Sequence, residues 1–133
     1  MKVRTVGEAF IRKTHAKVMA RYGGRPDLRD GHILLACAQR PHVGFGGVEF
    51  FPGPFAKAAA VGHAIAAWHP FMDGNKRTAY LVAKATLHIN GLALEPDTDD
   101  ADAVMVALAK GEMTVESFAG WLEANCRIAR LGT

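Results

Sequence analysis

His69-Pro70-Phe71-Met72-Asp73-Gly74-Asn75-Lys76-Arg77-Thr78 is the stretch whose residue types and spacing suggest chemistry. A titratable base, a carboxylate, a glycine and two cations fall between His69 and Arg77. Gly74 permits a positive φ, so the chain can curl there and aim successive backbone N–H groups at one point. A helix starting just after it adds unpaired N–H groups and the positive end of its dipole, which suits an anion. Asn75 can cap and shape that turn. Lys76 supplies a compact positive charge, and Arg77 a planar fork matched to phosphate oxygens. His69, four residues before Asp73, suits a base that takes a proton from an attacking hydroxyl. Asp73 is a hard oxygen ligand of the kind Mg²⁺ takes alongside bound phosphates. Phe71 has no evident chemistry and reads as an apolar anchor. Base, metal ligand and anion cradle together point to transfer of a phosphorus group to a hydroxyl.

Such a loop needs rigid supports. From Phe55 to Trp68 the chain is almost uniformly apolar, with only Lys57 and His63 as long polar residues. From Lys76 to Asn90 it is again mostly apolar, and Gly91 supplies a stop. Helices apolar all round belong inside a protein, so the two form a central buried hairpin with the polar loop at its tip. Val3, Val6, Phe10 and Val18 predict an earlier helix ending near Tyr22-Gly23-Gly24. Arg25-Pro26-Asp27 is a loop, and a short helix follows from about Asp30 to Gln39, ended by Pro41. Asp97 to Gly111 and Thr114 to Arg127 complete the set, carrying Ala101, Val104 and Leu108, then Val115, Phe118 and Leu122, on their apolar faces. Between Val43 and Pro52 two β-prone stretches flank Gly46-Gly47 and predict a hairpin. Two strands alone are marginal in water, so a mobile appendage is expected. The fold class is all-α: one domain over residues 1–133, about six helices around a buried helical hairpin, with one small β-hairpin.

The chain has 133 residues, 50% hydrophobic and 22% charged, which fits one compact domain and excludes intrinsic disorder. No apolar run reaches the roughly 18 residues of a membrane span. The segment Met1 to Glu8 lacks the apolar core of a secretory signal, so a soluble, cytoplasmic protein is expected. Sixteen Lys and Arg against 13 acids give a net charge of +3. These charges form no basic block, so a solvated surface is favoured over a nucleic-acid footprint. Cys37 and Cys126 have no metal-type spacing, and Cys37 sits in an apolar run as a small core residue. His63 lies six residues before His69, off the one-turn spacing of a helical metal pair. His15, His32, His42 and His88 read as surface or structural. Gly44-Phe45-Gly46-Gly47 lacks the strand–helix setting of a dinucleotide loop, and no Walker sequence is present.

The motif at His69, Pro70, Phe71, Asp73, Gly74, Asn75 and Arg77 resembles the signature of the Fic/Doc family. Lys76 departs from the glycine usual in protein AMP-transferring Fic enzymes. With Arg77-Thr78-Ala79 it is similar to the Doc ("death on curing") branch. The resemblance extends through Arg21-Tyr22-Gly23-Gly24, Leu28-Arg29-Asp30, Arg40-Pro41, Phe45-Gly46-Gly47, Phe51-Pro52, Asn90-Gly91, Gly111-Glu112 and Trp121-Leu122, or residues of about 8 to 125.

That resemblance implies His69 as general base, Asp73 as Mg²⁺ ligand, and Gly74, Asn75, Lys76 and Arg77 as the nucleotide phosphate site. It implies that the hairpin, with Gly46, Gly47, Val48, Glu49 and Phe50, is a flap pinning an extended target segment by strand pairing. Doc-type proteins bind ATP reversed, so the implied reaction is transfer of the γ-phosphate to a threonine of elongation factor Tu, arresting translation. The implied partner is a Phd-like antitoxin. No glutamate fits the inhibitory-helix pattern of many Fic proteins, so restraint is expected in trans. AMP transfer to a protein hydroxyl, and a silent Fic-fold interaction module, are the competing readings.

Overall fold

The computed structural model describes residues 2–129. Six α-helices follow in order: α1 (Glu8–Tyr22), α2 (Gly31–Gln39), α3 (Gly53–Trp68), α4 (Asn75–His88), α5 (Thr98–Ala109) and α6 (Val115–Ala124). A short 3-10 turn, Arg40–His42, contains Pro41 and ends α2. Four short strands, β1 (Gly44–Phe45), β2 (Val48–Glu49), β3 (Leu92–Leu94) and β4 (Cys126–Ile128), form two antiparallel pairs, β1–β2 and β3–β4.

The buried hairpin expected from the apolar runs is α3–α4. Ala58, Ala59, Ala60, Val61, Ala64, Ile65 and Ala66 on α3, with Ala79, Val82, Ala83 and Leu87 on α4, are buried in one cluster. Small residues allow the close approach: a Cβ on Gly62 would lie 3.0 Å from Phe118 and 3.2 Å from the Ala83 Cβ. The other helices cover this pair, contributing Ile11, Leu34, Val104, Leu108, Phe118 and Leu122 to the core. Side-chain caps start three of them. Asp30 accepts from the His32 and Ile33 N–H groups, Asp97 from Asp100, and Thr114 from Ser117.

Two boundaries differ most from the sequence reading. The first helix starts at Glu8, after Val3 and Val6. Gly7 is extended, and the Asn90 amide holds Arg4, accepting from its N–H at 2.8 Å and donating to its carbonyl at 2.9 Å. The buried face of α1 is therefore Ile11, Thr14, His15, Val18 and Met19, with Phe10 exposed. The last helix stops at Ala124 rather than Arg127. Cys126–Ile128 turns into a strand because Leu92–Leu94 offers it a ladder, tied further by Arg127 to Glu95 at 2.7 Å. This second strand pair has no signal in the local sequence.

The β1–β2 hairpin turns at Gly46-Gly47, whose φ of 59° and 80° are what a tight two-residue turn of this hand demands. It is anchored rather than a loose appendage. Lys57, buried in α3, donates to the Glu49 carboxylate at 2.7 Å and to the Pro41 carbonyl at 3.0 Å.

Candidate active site

His69 ends α3 in the left-handed region, with φ 51° and ψ 65°, the one non-glycine residue described with positive φ. For an L-residue that conformation costs about 1–2 kcal/mol and must be held from outside. Arg29 holds it. Its Nε donates to the His69 carbonyl at 2.5 Å and its Nη2 to the Trp68 carbonyl at 2.7 Å, capping two otherwise open carbonyls of α3.

The chain then runs beside residues 25–30 as if against a template. Arg29 and Asp30 N–H groups donate to the Pro70 carbonyl at 2.8 and 3.1 Å. Leu28 and Phe71 form an isolated antiparallel bridge, and Met72 N–H donates to the Asp27 carbonyl at 2.9 Å. Phe71 is buried and stacks on His15, with ring centroids 3.6 Å apart and planes 5° from parallel. Phe71 anchors the loop as its apolar character predicts. The buried His15 also makes a 2.8 Å hydrogen bond from Nε2 to the Asp73 carbonyl. Since a carbonyl only accepts, Nε2 carries the proton.

Asp73 is exposed, and its Oδ2 accepts from the Arg25 N–H at 2.7 Å. Oδ1 makes no hydrogen bond among the described residues. No group of three His, Cys, Asp or Glu side chains there forms a self-sufficient metal centre. A single oriented carboxylate suits a hard cation that takes its other ligands from phosphate oxygens and water, as Mg²⁺ does.

Gly74 caps α4 with φ 81°, so the backbone favours glycine, and a Cβ there would come within 2.4 Å of the flexible end of Met19, which would have to move aside. The following N–H groups open α4 with no carbonyl of a preceding turn to take them. Asn75 was expected in the phosphate site, yet its side chain is buried and spent on the loop. Its Oδ1 accepts from Phe71 N–H at 3.1 Å and its Nδ2 donates to the Phe71 carbonyl at 2.8 Å. Only its backbone is left for an anion. Lys76 and Arg77 are exposed, and the Arg77 guanidinium lies 3.9 Å from the centre of the Tyr22 ring, which orients its fork.

His69, Asp73, Gly74, Asn75, Lys76 and Arg77 line one cleft of about 710 Å³. Leu81, Pro96, Ala101, Met105 and Val106 add an apolar part to its lining, with Thr98 and Asp102 as polar exceptions. The cleft thus pairs a cationic helix start with apolar lining and includes an exposed imidazole, the pattern of a site for a phosphate-bearing ligand with an apolar body. On the flap, Phe45, Val48 and Phe50 are 83, 65 and 58% exposed, whereas the Glu49 carboxylate is committed to Lys57.

Residues 5–87 match the sequence model of the Fic/DOC family. The chain belongs to the Fic/Doc family. That family is a transferase family acting on proteins and using nucleoside triphosphates. Among curated proteins, Toxin Doc of Mycolicibacterium smegmatis is 37% identical over 113 residues, covering 84% of this chain and 87% of that one. The six helices with a small β-hairpin are consistent with the Fic/Doc fold. Among the described residues no helix is long and apolar enough to cross a membrane.

Sequence reasoning missed two residues that hold the site's loop in place. Arg29 appeared only as part of a matched string, and His15 as one of several surface or structural histidines, whereas it is buried. A signal for His15 exists in hindsight: it shares the buried stripe of α1 with Ile11 and Val18, and a buried imidazole needs a polar partner.

Proposed function

We propose that this Fic/Doc protein is the toxin of a type II toxin–antitoxin pair that phosphorylates elongation factor Tu and so arrests translation. The observation that carries this reading is the cleft in which Lys76 and Arg77, at the cationic start of α4, face the same space as His69 and Asp73. Lys76 supports the choice of phosphate. Its side chain adds bulk and charge where a glycine would leave room for an α-phosphate pose, and it favours a γ-phosphate next to the base.

The roles follow from the positions of the groups. The α4 N-terminus, Lys76 and Arg77 bind and orient the triphosphate by charge-assisted hydrogen bonds. The Asp73 carboxylate would hold Mg²⁺, which when bound neutralises phosphate charge. The His69 imidazole accepts the proton of a threonine hydroxyl as its oxygen bonds to the γ-phosphorus. The bond to the β-phosphate oxygen breaks, and ADP leaves with the electron pair. The target segment lies along the flap, where Phe45, Val48 and Phe50 offer exposed apolar contacts and a free strand edge. A Phd-like antitoxin supplies restraint in trans, in a cytoplasmic setting.

The test uses purified protein, Mg²⁺, elongation factor Tu and ATP labelled at the α- or the γ-phosphate, with His69→Ala as control. Label moving only from the γ-position supports the kinase. Movement from the α-position makes the protein an AMP transferase and removes the role given to Lys76. No movement of either label, with factor Tu or with extract, supports the silent interaction module.

A further inference from the structure

Two polar side chains interrupt the apolar helix α3, and each must find partners where water is scarce. Lys57 finds Glu49 on the flap and the Pro41 carbonyl in the turn before it. His63 finds Arg40. Its Nδ1 lies 2.8 Å from Arg40 Nη1, which also donates to the Ala60 carbonyl at 3.2 Å. An arginine has no acceptor to offer, so Nδ1 must be the acceptor and the ring is neutral. Burial and the adjacent guanidinium push the His63 pKa down, in the direction that keeps it so, against a smaller opposing pull from Glu116 and the Met113 backbone.

So oriented, the half-buried Arg40 guanidinium lies 4.7 Å from the centre of the Trp68 ring and 5.5 Å from that of Phe51. Trp68 immediately precedes His69, and the carbonyls of both are held by Arg29. Phe51 is the exit of the flap, next to Phe50, whose N–H donates to Val43 across the hairpin at 3.1 Å. One cation therefore joins the flap exit to the end of α3 that presents the base. A two-stranded ribbon has little stability of its own, so its position depends on such anchors.

We propose that Arg40, oriented by His63, is a positioning residue that fixes the flap against the Trp68–His69 end of α3, and so sets where a target segment lies relative to the imidazole. This rests on the flap being the target-binding edge, as argued above. Arg40 touches no reacting atom and acts through Phe51 and Trp68.

The experiment compares Arg40→Met, His63→Leu and His63→Gln with the parent chain. Hydrogen exchange at the Phe50 amide and the emission of Trp68 in a Trp121→Phe background are read first, without any ligand. Arg40→Met and His63→Leu are expected to speed Phe50 exchange about tenfold and shift Trp68 emission. His63→Gln retains an acceptor for Arg40 and should return both toward the parent values. With factor Tu and ATP, the first two variants should raise KM for the protein about tenfold and leave KM for ATP unchanged. Parent-like exchange and emission in both Arg40→Met and His63→Leu would overturn the proposal, as would equal losses for both substrates. If Arg40→Met fails to fold, His63→Leu against His63→Gln decides. Should the parent chain transfer nothing, the functional reading fails, while exchange and emission still decide whether Arg40 places the flap.

Discussion

Arg29→Met removes the guanidinium that holds the last two carbonyls of α3 while keeping an unbranched apolar stem. The two bonds, 2.5 Å to the His69 carbonyl and 2.7 Å to that of Trp68, are charge-assisted but exposed. Discounted for solvent, they are worth about 1 kcal/mol each, or about 2 kcal/mol together. The left-handed conformation of His69 costs a similar 1–2 kcal/mol relative to the ordinary helical region. With Arg29 in place the two nearly balance; without it the cost of about 1–2 kcal/mol stands uncompensated, and the fraction of molecules presenting the imidazole correctly falls to roughly a tenth. The Pro70 carbonyl keeps its two bonds from Arg29 and Asp30 N–H, so the loop itself stays in place. The single-turnover rate of phosphate transfer at saturating ATP should therefore drop about tenfold, with ATP affinity unchanged. Loss of the base should cost about 10²–10⁴. Because Arg29 acts only through His69, Arg29→Met added to His69→Ala should slow the reaction no further. Full activity in Arg29→Met would refute this reasoning. An additive loss in the double variant would show that Arg29 acts elsewhere.

Gly74→Ala forces an alanine to φ 81° and makes the flexible end of Met19 move aside, and should cost about 1–2 kcal/mol in urea unfolding, most of it from the backbone. A loss below about 0.5 kcal/mol would mean the turn relaxes freely. Asp73→Asn keeps an acceptor for Arg25 N–H but loses the charge. It should leave the melting temperature almost unchanged and weaken Mg²⁺-dependent nucleotide binding at least tenfold; an unaltered Mg²⁺ titration removes Asp73 from metal binding. Burial pushes the Cys37 thiol from 9.0 up to about 12. Up to about pH 9 both folded and unfolded chains keep that proton; between 9 and 12 only the folded chain does. Stability should thus fall with rising pH by about 1.4 kcal/mol per unit from this group. Urea titrations from pH 9 to 10.5 should show the extra slope in the parent chain relative to Cys37→Ala, and parallel slopes would contradict it.

The site was legible in sequence to the extent that chemistry is local. His69 to Arg77 are consecutive, so a base, a carboxylate, a glycine turn and a cationic helix start could be seen without knowing where the chain goes. The apolar runs on either side announced α3 and α4 because a helix without a polar face has nowhere to sit except inside. Gly46-Gly47 announced a hairpin because the turn needs positive φ at both positions. Boundaries were less legible where a distant partner sets them. Asn90 holds Arg4 extended and delays α1 to Glu8, and Leu92–Leu94 draws Cys126–Ile128 out of α6.

Sequence alone determined the helical class, the buried hairpin, the family and the inventory of groups at its tip, since these depend on residue type and spacing along the chain. Tertiary structure decided what each polar group is used for. Asn75 looks like a phosphate ligand in the string, but burial leaves its amide facing Phe71, and a buried amide bonds to what is beside it. Lys57 and His63 look like blemishes in an apolar helix until Glu49 and Arg40 are seen to meet them. His69 reads as a base in sequence, but nothing there shows its backbone conformation. Its left-handed backbone exists because Arg29, forty residues earlier, reaches across to hold it. Hydrogen bonds between residues far apart in the chain leave no local pattern, and only the folded packing reveals which pairs meet.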